Sequence, residues 1–305
     1  HSGAYSWGVY DSHPYVLLNH TDNLNGAMTL AHELGHAMHS YHSNEALPYA
    51  KAGYSLFVAE VASTCNEMLL MHALMNEYKD NKKASAFLAN QLLEEFRGTV
   101  FRQTMFAAFE RESHRMEEAG VPLTADTLSK VHYELNEKYY GGECVIDECV
   151  RHEWMRIPHF YRSFYVYVYA TGLCAAVSLS ERILNEGAPA VADYRKFLSA
   201  GCSVPPIEAL KLAGIDMSKP EHLGILEAWL KSYKPEELFT DDGKLIPELK
   251  ALAPTGDRRM GANPHANGGK LLRDLKMPDF RKYGIDIPSP GAVEAQDMLV
   301  LGSFV

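Results

Sequence analysis

The stretch Thr29-Leu30-Ala31-His32-Glu33-Leu34-Gly35-His36-Ala37 constrains the backbone more than any other part of this chain. His32 and His36 are four residues apart, so on a helix they lie about 40° apart and one turn along. Two imidazoles so placed can hold one small cation from the same face. Glu33 points about 100° round from His32, within reach of a water beside that cation. Two neutral nitrogen ligands, a general base and an open metal position are what H-E-x-x-H chemistry requires. Five residues alone also fit a solvated helix with two surface histidines and a salt-bridging glutamate, so the context decides. Leu30, Ala31, Leu34, Ala37 and Met38 give the segment an apolar side, and Gly35 leaves room for a close approach.

A second helical stretch follows at Ser55–Leu70 and is apolar nearly throughout, which predicts burial. A buried carboxylate must be paired or bind a metal. Glu60 and Glu67 are seven apart and share one helix face, with the small Ser63 between them. A third ligand and a carboxylate that steadies a ligand would need that arrangement.

His32-Glu33-Leu34-Gly35-His36, then Glu60-Val61-Ala62-Ser63 and Asn66-Glu67, resembles the thimet oligopeptidase and oligoendopeptidase F family of zinc peptidases, with the oligoendopeptidase F branch the nearer match. The resemblance implies a mainly α fold over about residues 1–221: a multi-helix, zincin-like metallopeptidase catalytic domain with a short N-terminal β-hairpin. It implies one Zn2+ per chain held by His32, His36 and Glu60, with Glu33 as the base that activates a zinc-bound water. Glu67 would orient a histidine ligand. Short peptides would be the substrates, because the family's zinc lies deep in a channel between two helical lobes. The lobe that precedes His1 in the family is expected to be missing from this chain.

Composition is consistent with that reading. With 305 residues, 47% hydrophobic and 22% charged, the chain has the profile of a globular protein long enough for one large domain or two. A formal charge of −10 and the lack of a basic run argue against nucleic-acid binding. No apolar run approaches about eighteen residues, so no membrane span is expected. The opening His1-Ser2-Gly3-Ala4-Tyr5 has no basic start and apolar run, and no initiator Met. The expectation is therefore no secretory signal, and a start inside a longer protein or after processing. Cysteines 65, 144, 149, 174 and 202 are odd in number and lack C-x-x-C spacing, which favours free thiols in a reducing cytoplasm.

Along the chain, residues 4–19 read as two short strands around Asp11-Ser12-His13-Pro14. Such a hairpin serves as structure, or offers an edge to an extended peptide. Asp22 or Asn23 caps the metal helix, which is expected to run to about Tyr41. His39 and His42 extend the histidine row at three-residue steps and are left out of the metal set. Pro48 and Gly53 break the chain, residues 82–119 and 124–139 read as helices, and Gly141-Gly142 ends that run. Residues 189–200 and 205–214 read as two further helices.

The segment Glu153–Gly172 carries Pro158, His159, Tyr161, Tyr165, Tyr167 and Tyr169. Its Gly/Ala-rich continuation to Arg182 favours one long buried helix, on which Tyr161, Tyr165 and Tyr169 form a stripe with His159 near its start. Such a stripe ordinarily packs a core. The resemblance implies another role, donation of hydrogen bonds to the scissile carbonyl oxygen, from His159 first and then Tyr169 or Tyr165.

From about Leu223 the composition shifts toward Gly and Pro. Arg258-Arg259-Met260-Gly261-Ala262-Asn263-Pro264-His265-Ala266-Asn267-Gly268-Gly269 and Leu272–Phe280 resemble an interior segment of phosphoketolase, a thiamine-diphosphate enzyme. Residues 222–305 are therefore read as a loop-rich C-terminal appendage, not an independent domain. It holds no glycine-aspartate-glycine diphosphate motif, so no cofactor-binding residue is assigned there. The rivals to a zinc endopeptidase are a zinc-binding fragment impaired in turnover and, remotely, a thiamine-diphosphate-binding phosphoketolase fragment.

Overall fold

In the computed structural model, residues 3–140 and 145–219 are described. The reading of residues beyond about 221 as a loop-rich appendage, and the Gly141-Gly142 stop, fall outside them. The described fold is mainly helical with one two-stranded antiparallel sheet. Strands β1 (Ala4–Trp7) and β2 (Tyr15–Leu18) pair Ala4 with Leu18 and Trp7 with Tyr15. Asp11, with φ 61°, turns the chain between them.

Helices α1 (Leu24–Ala46), α2 (Tyr49–Ala52), α3 (Leu56–Glu77) and α4 (Lys82–Phe96) follow. After them come α5 (Arg102–Glu118), α6 (Ala125–Tyr140), α7 (Tyr167–Glu186), α8 (Ala188–Leu198) and α9 (Pro206–Leu212). The contacts divide the described chain into two compact units, residues 3–92 with 174–219, and residues 93–140 with 145–173.

In the first unit, α1 starts where Asn23 accepts the Gly26 N–H, satisfying one of the helix's free donors. It runs five residues past the expected end at Tyr41. Ser43 is buried and donates to the Ala52 carbonyl, so the polar sequence there packs inward. The helix stops only at Leu47, whose extended backbone is what a following proline imposes. Helix α3 is buried on nearly every side. Val58, Val61, Ala62, Cys65 and Leu69 pack with Ala175, Ala176 and Leu179 of α7, Tyr194 and Phe197 of α8, and Leu210 of α9. Gly35 lets α1 and α3 touch: a Cβ there would lie 2.5 Å from the Ala62 carbonyl oxygen and from the Ser63 Cα. Asn66 then donates across the contact to the Ala31 carbonyl at 3.2 Å.

Residues 82–118 are helical without a break, as expected, and a wide π turn at Arg97–Phe101 joins α4 to α5. The second unit corrects one expectation: there is no long helix from Pro158. Glu148–Arg156 and Pro158–Tyr161 are tight 3₁₀ turns, and α7 begins only at Tyr167. Side-chain bonds hold the first of these turns. Arg102 donates to Glu153 at 2.5 Å, the Trp154 indole to Ser129 at 3.1 Å, and His132 Nδ1 to the Val150 carbonyl at 3.1 Å. Phe164 then takes φ 55°, the left-handed region, which for a residue with a Cβ costs about 1–2 kcal/mol. Met105, Phe106, Ile157 and Val166 form the core here, with Phe160 and Tyr165 against it.

Candidate metal centre

Helix period and the close α1–α3 contact bring His32, His36 and Glu60 together. His32 Nε2 lies 3.2 Å from His36 Nε2 and 3.3 Å from Glu60 Oε2, and His36 Nε2 lies 3.5 Å from the same oxygen. Among the described residues this is the one group of three histidine, cysteine or carboxylate residues whose ligand atoms converge. Ligand bonds of ~2.0–2.1 Å to a tetrahedral zinc put neighbouring ligand atoms roughly 3.3–3.4 Å apart. The triangle has edges of that length, and two nitrogens with one carboxylate oxygen are a donor set zinc accepts. The residues fit the ion.

Their surroundings hold them in place. Glu67 Oε1 lies 2.5 Å from His32 Nδ1, which keeps one ring proton on Nδ1 and makes Nε2, facing His36 and Glu60, the atom that would ligate once its own proton is displaced. Ser63 donates to Glu60 Oε2 at 3.0 Å, one helical turn on. Burial disfavours a charged imidazole at His32, yet hydrogen bonds to Glu60 and Glu67 outweigh it and push its pKa up to about 10. For Glu60 burial likewise opposes charge, and the hydrogen bonds from His32 and His36 win, holding the carboxyl well below the usual range.

Glu33 is buried on α1. Burial pushes its pKa up, while His32, His36 and the Ser6 backbone N–H, which donates to it from β1, pull the other way. The hairpin thus has a task besides its own pairing, because one of its amides steadies this carboxylate. His39 is buried with its ring stacked on Tyr54 at 3.7 Å, and burial holds its pKa down to about 3. It packs as a neutral ring, apart from the convergent group, and so does not join the donor set; nor does His42.

The second unit holds the other expected residues. Tyr161 is 89% exposed and lies outside α7, so the stripe Tyr161–Tyr165–Tyr169 does not exist. His159, Tyr165 and Tyr169 nevertheless meet through the irregular backbone between them. The Tyr169 hydroxyl lies 3.3 Å from His159 Nε2 and donates to the Tyr165 hydroxyl at 3.4 Å. The His159 ring stacks on Tyr165 with centroids 5.4 Å apart. Sequence reasoning missed the Ser63 hydroxyl on Glu60 and the Ser6 amide on Glu33. The first was visible as an i, i+3 pair, whereas nothing in the sequence links Ser6 to Glu33.

Comparison with known proteins places these residues in context. The sequence is 49% identical over 249 residues to oligopeptidase PepF of Bacillus subtilis (strain 168), covering 82% of this chain and 36% of that protein. The crystal structure of oligoendopeptidase-F from Enterococcus faecium superposes with a TM-score of 0.61 at 40% identity, over 70% of this chain and 39% of the other. The chain thus spans little more than a third of the length of the curated relatives it matches. Toward the C-terminus, the profile described as XFP N-terminal domain matches residues 210–271. Probable phosphoketolase 1 of Rhizobium meliloti (strain 1021) is 66% identical over 90 residues, 30% of this chain and 11% of that protein. Among the described residues no helix is long and apolar enough to cross a membrane. The Peptidase family M3 profile matches residues 1–226, well over half of the sequence and all of the convergent histidines and carboxylates, and the chain belongs to that family.

Proposed function

We propose that residues 1–221 form the catalytic segment of a zinc-dependent endopeptidase that hydrolyses peptide bonds in short oligopeptides, with 222–305 a separate phosphoketolase-like segment. The observation that carries this reading is the His32–His36–Glu60 triangle with Glu33 buried beside it. One zinc per chain would be held by His32, His36 and Glu60. Bound there, the ion supplies a Lewis acid that polarises the peptide carbonyl and acidifies a water.

The chain's own residues do the rest. Glu33 takes the proton of the attacking water and returns it to the leaving amine, and burial raises its basicity for that task. Glu67 keeps His32 in one tautomer and one orientation. His159, with Tyr169 or Tyr165, donates hydrogen bonds to the carbonyl oxygen as negative charge builds on it. The meeting of their polar atoms at 3.3 and 3.4 Å supports a shared acceptor. Free thiols at Cys65, Cys149, Cys174 and Cys202 favour a reducing compartment, the cytoplasm.

The test is zinc content together with hydrolysis of a short fluorogenic peptide, with and without chelator. Glu33→Gln is expected to keep the zinc and lose about 10²–10⁴-fold in turnover. Stoichiometric zinc in a His32→Ala/His36→Ala chain, or more than a tenth of the parent rate in Glu33→Gln, would refute the reading. Zinc bound with no turnover in the parent chain would leave a metal-binding segment only.

A further inference from the structure

His159 sits in a 3₁₀ turn and Tyr169 in α7, so their encounter depends on the backbone that joins the two elements. Phe164 is the joint. It lies five residues after His159, one before Tyr165 and five before Tyr169, and it holds the left-handed backbone that a bulky side chain disfavours. Left to itself, this residue would relax to negative φ and swing Tyr165 and the first turn of α7 away from His159.

One face of α5 prevents that at two points. Glu110 accepts the Phe164 N–H at 2.5 Å through Oε1. His114, one turn along, packs its ring on the Phe164 ring with centroids 4.6 Å apart, and its Nδ1 donates to the Glu110 carbonyl at 2.8 Å. Glu110 is 5% exposed whereas Phe164 is 53% exposed. A buried carboxylate therefore reaches out to an otherwise accessible turn. Strained residues persist only where their surroundings over-determine them, and they gather at working sites.

We propose that Glu110 is a positioning residue for the reaction: it locks the Phe164 turn and thereby sets His159, Tyr165 and Tyr169 toward one acceptor. This rests on the reading of those three as donors to the scissile carbonyl oxygen. What Glu110 contributes is an acceptor for one amide, so a neutral acceptor suffices in its place.

The experiment uses the full zinc-loaded chain, a fluorogenic short peptide, and a phosphinic peptide of the same sequence whose tetrahedral P–O⁻ mimics the oxyanion. Glu110→Ala is expected to lower kcat about ten- to hundredfold with KM within about twofold, since misplaced groups fail in the transition state more than in the ground state. It should weaken the phosphinic peptide by a similar factor and leave zinc content unchanged. Glu110→Gln keeps an acceptor and should stay within about threefold of the parent on both measures. If His159→Ala and Tyr169→Phe lose rate while Glu110→Ala stays within twofold, the positioning role is overturned and the donor reading stands. If His159→Ala and Tyr169→Phe also keep full rate and full phosphinic affinity, the donor reading falls and takes this one with it. Should Glu110→Ala fail to fold, amide exchange on the unmodified chain decides. Protection of the Phe164 N–H at least tenfold beyond that of exposed Ser163 is expected, and exchange as fast as Ser163 overturns the proposal.

Discussion

Gly35→Ala tests the reasoning that ties the metal site to the helix packing. An added Cβ would lie 2.5 Å from the Ala62 carbonyl oxygen and the Ser63 Cα, where ordinary contact begins at 3.4 Å. Both neighbours are α3 backbone, so neither can rotate away, and the helices must part by about 1 Å to restore contact. Overpacking of this kind costs about 1–3 kcal/mol. For a chain of this size that is a fall in Tm of roughly 1.5–5 °C. The same displacement carries Glu60, on α3, away from His32 and His36, on α1. Their oxygen–nitrogen separations of 3.3 and 3.5 Å would open beyond the edge of a zinc tetrahedron. Because sites tolerate only about 0.2 Å of error in ligand distance, zinc affinity should fall at least tenfold. Gly53→Ala is the control. Nothing lies within 4 Å of a Cβ there, and its φ of −64° suits alanine, so a gain of about 0.4–1 kcal/mol is expected. The assays are thermal melts of the zinc-free chain and zinc titration against a competing chelator. Gly35→Ala with Tm within about 1 °C of the parent and zinc affinity within twofold would refute the argument that this glycine sets the site.

Acidity and truncation supply the remaining expectations. In the zinc-free chain the Glu60 and Glu67 carboxylates hold the His32 pKa up at about 10, so zinc uptake must displace a proton, and apparent affinity should fall about tenfold for each pH unit below that; chelator competition at pH 6 and 8 checks it, and equal affinities would count against the pairing. By linkage, the raised His32 pKa stabilises the zinc-free fold fully below 6.5, and that contribution is lost as pH rises toward 10; the depressed Glu60 pKa contributes above 4.5 and is lost as pH falls. Melts of the zinc-free chain should therefore be higher near pH 6.5 than at 9.5, and the reverse order would contradict the sign. Ala213 and Ile215 complete the buried core of the first unit, with Met217 packed against it. A chain ending at Pro220 should accordingly keep its zinc and its cooperative melt, and loss of either would move the boundary proposed at 221.

What the sequence determined by itself was whatever local periodicity carries. His32, Glu33 and His36 are neighbours on one helix, and any helix through Thr29–Ala37 sets their mutual arrangement. The apolar run around Glu60 demanded a buried helix, and Glu60, Ser63 and Glu67 share a face of it for the same periodic reason. The hairpin, the Asn23 cap and the breaks at Pro48 and Gly53 were likewise legible, because turn and cap preferences act over a few residues.

Tertiary structure decided the rest. Tyr161, Tyr165 and Tyr169 have helical spacing, yet the chain from Glu148 to Arg156 is held in a tight turn by Arg102, Ser129 and His132, residues far off in sequence, and Pro158–Tyr161 form a second such turn. Phe164 takes a conformation its own side chain opposes, because Glu110, 54 residues away, supplies the acceptor that outweighs local preference. The Ser6 amide on Glu33 and the Gly35 contact with α3 are of the same kind. Local propensity amounts to about 1 kcal/mol per residue, and a buried hydrogen bond or a packed helix contact equals or exceeds it. Wherever distant groups meet, packing therefore decides the backbone, and here those meetings lie beside the residues that would do the chemistry.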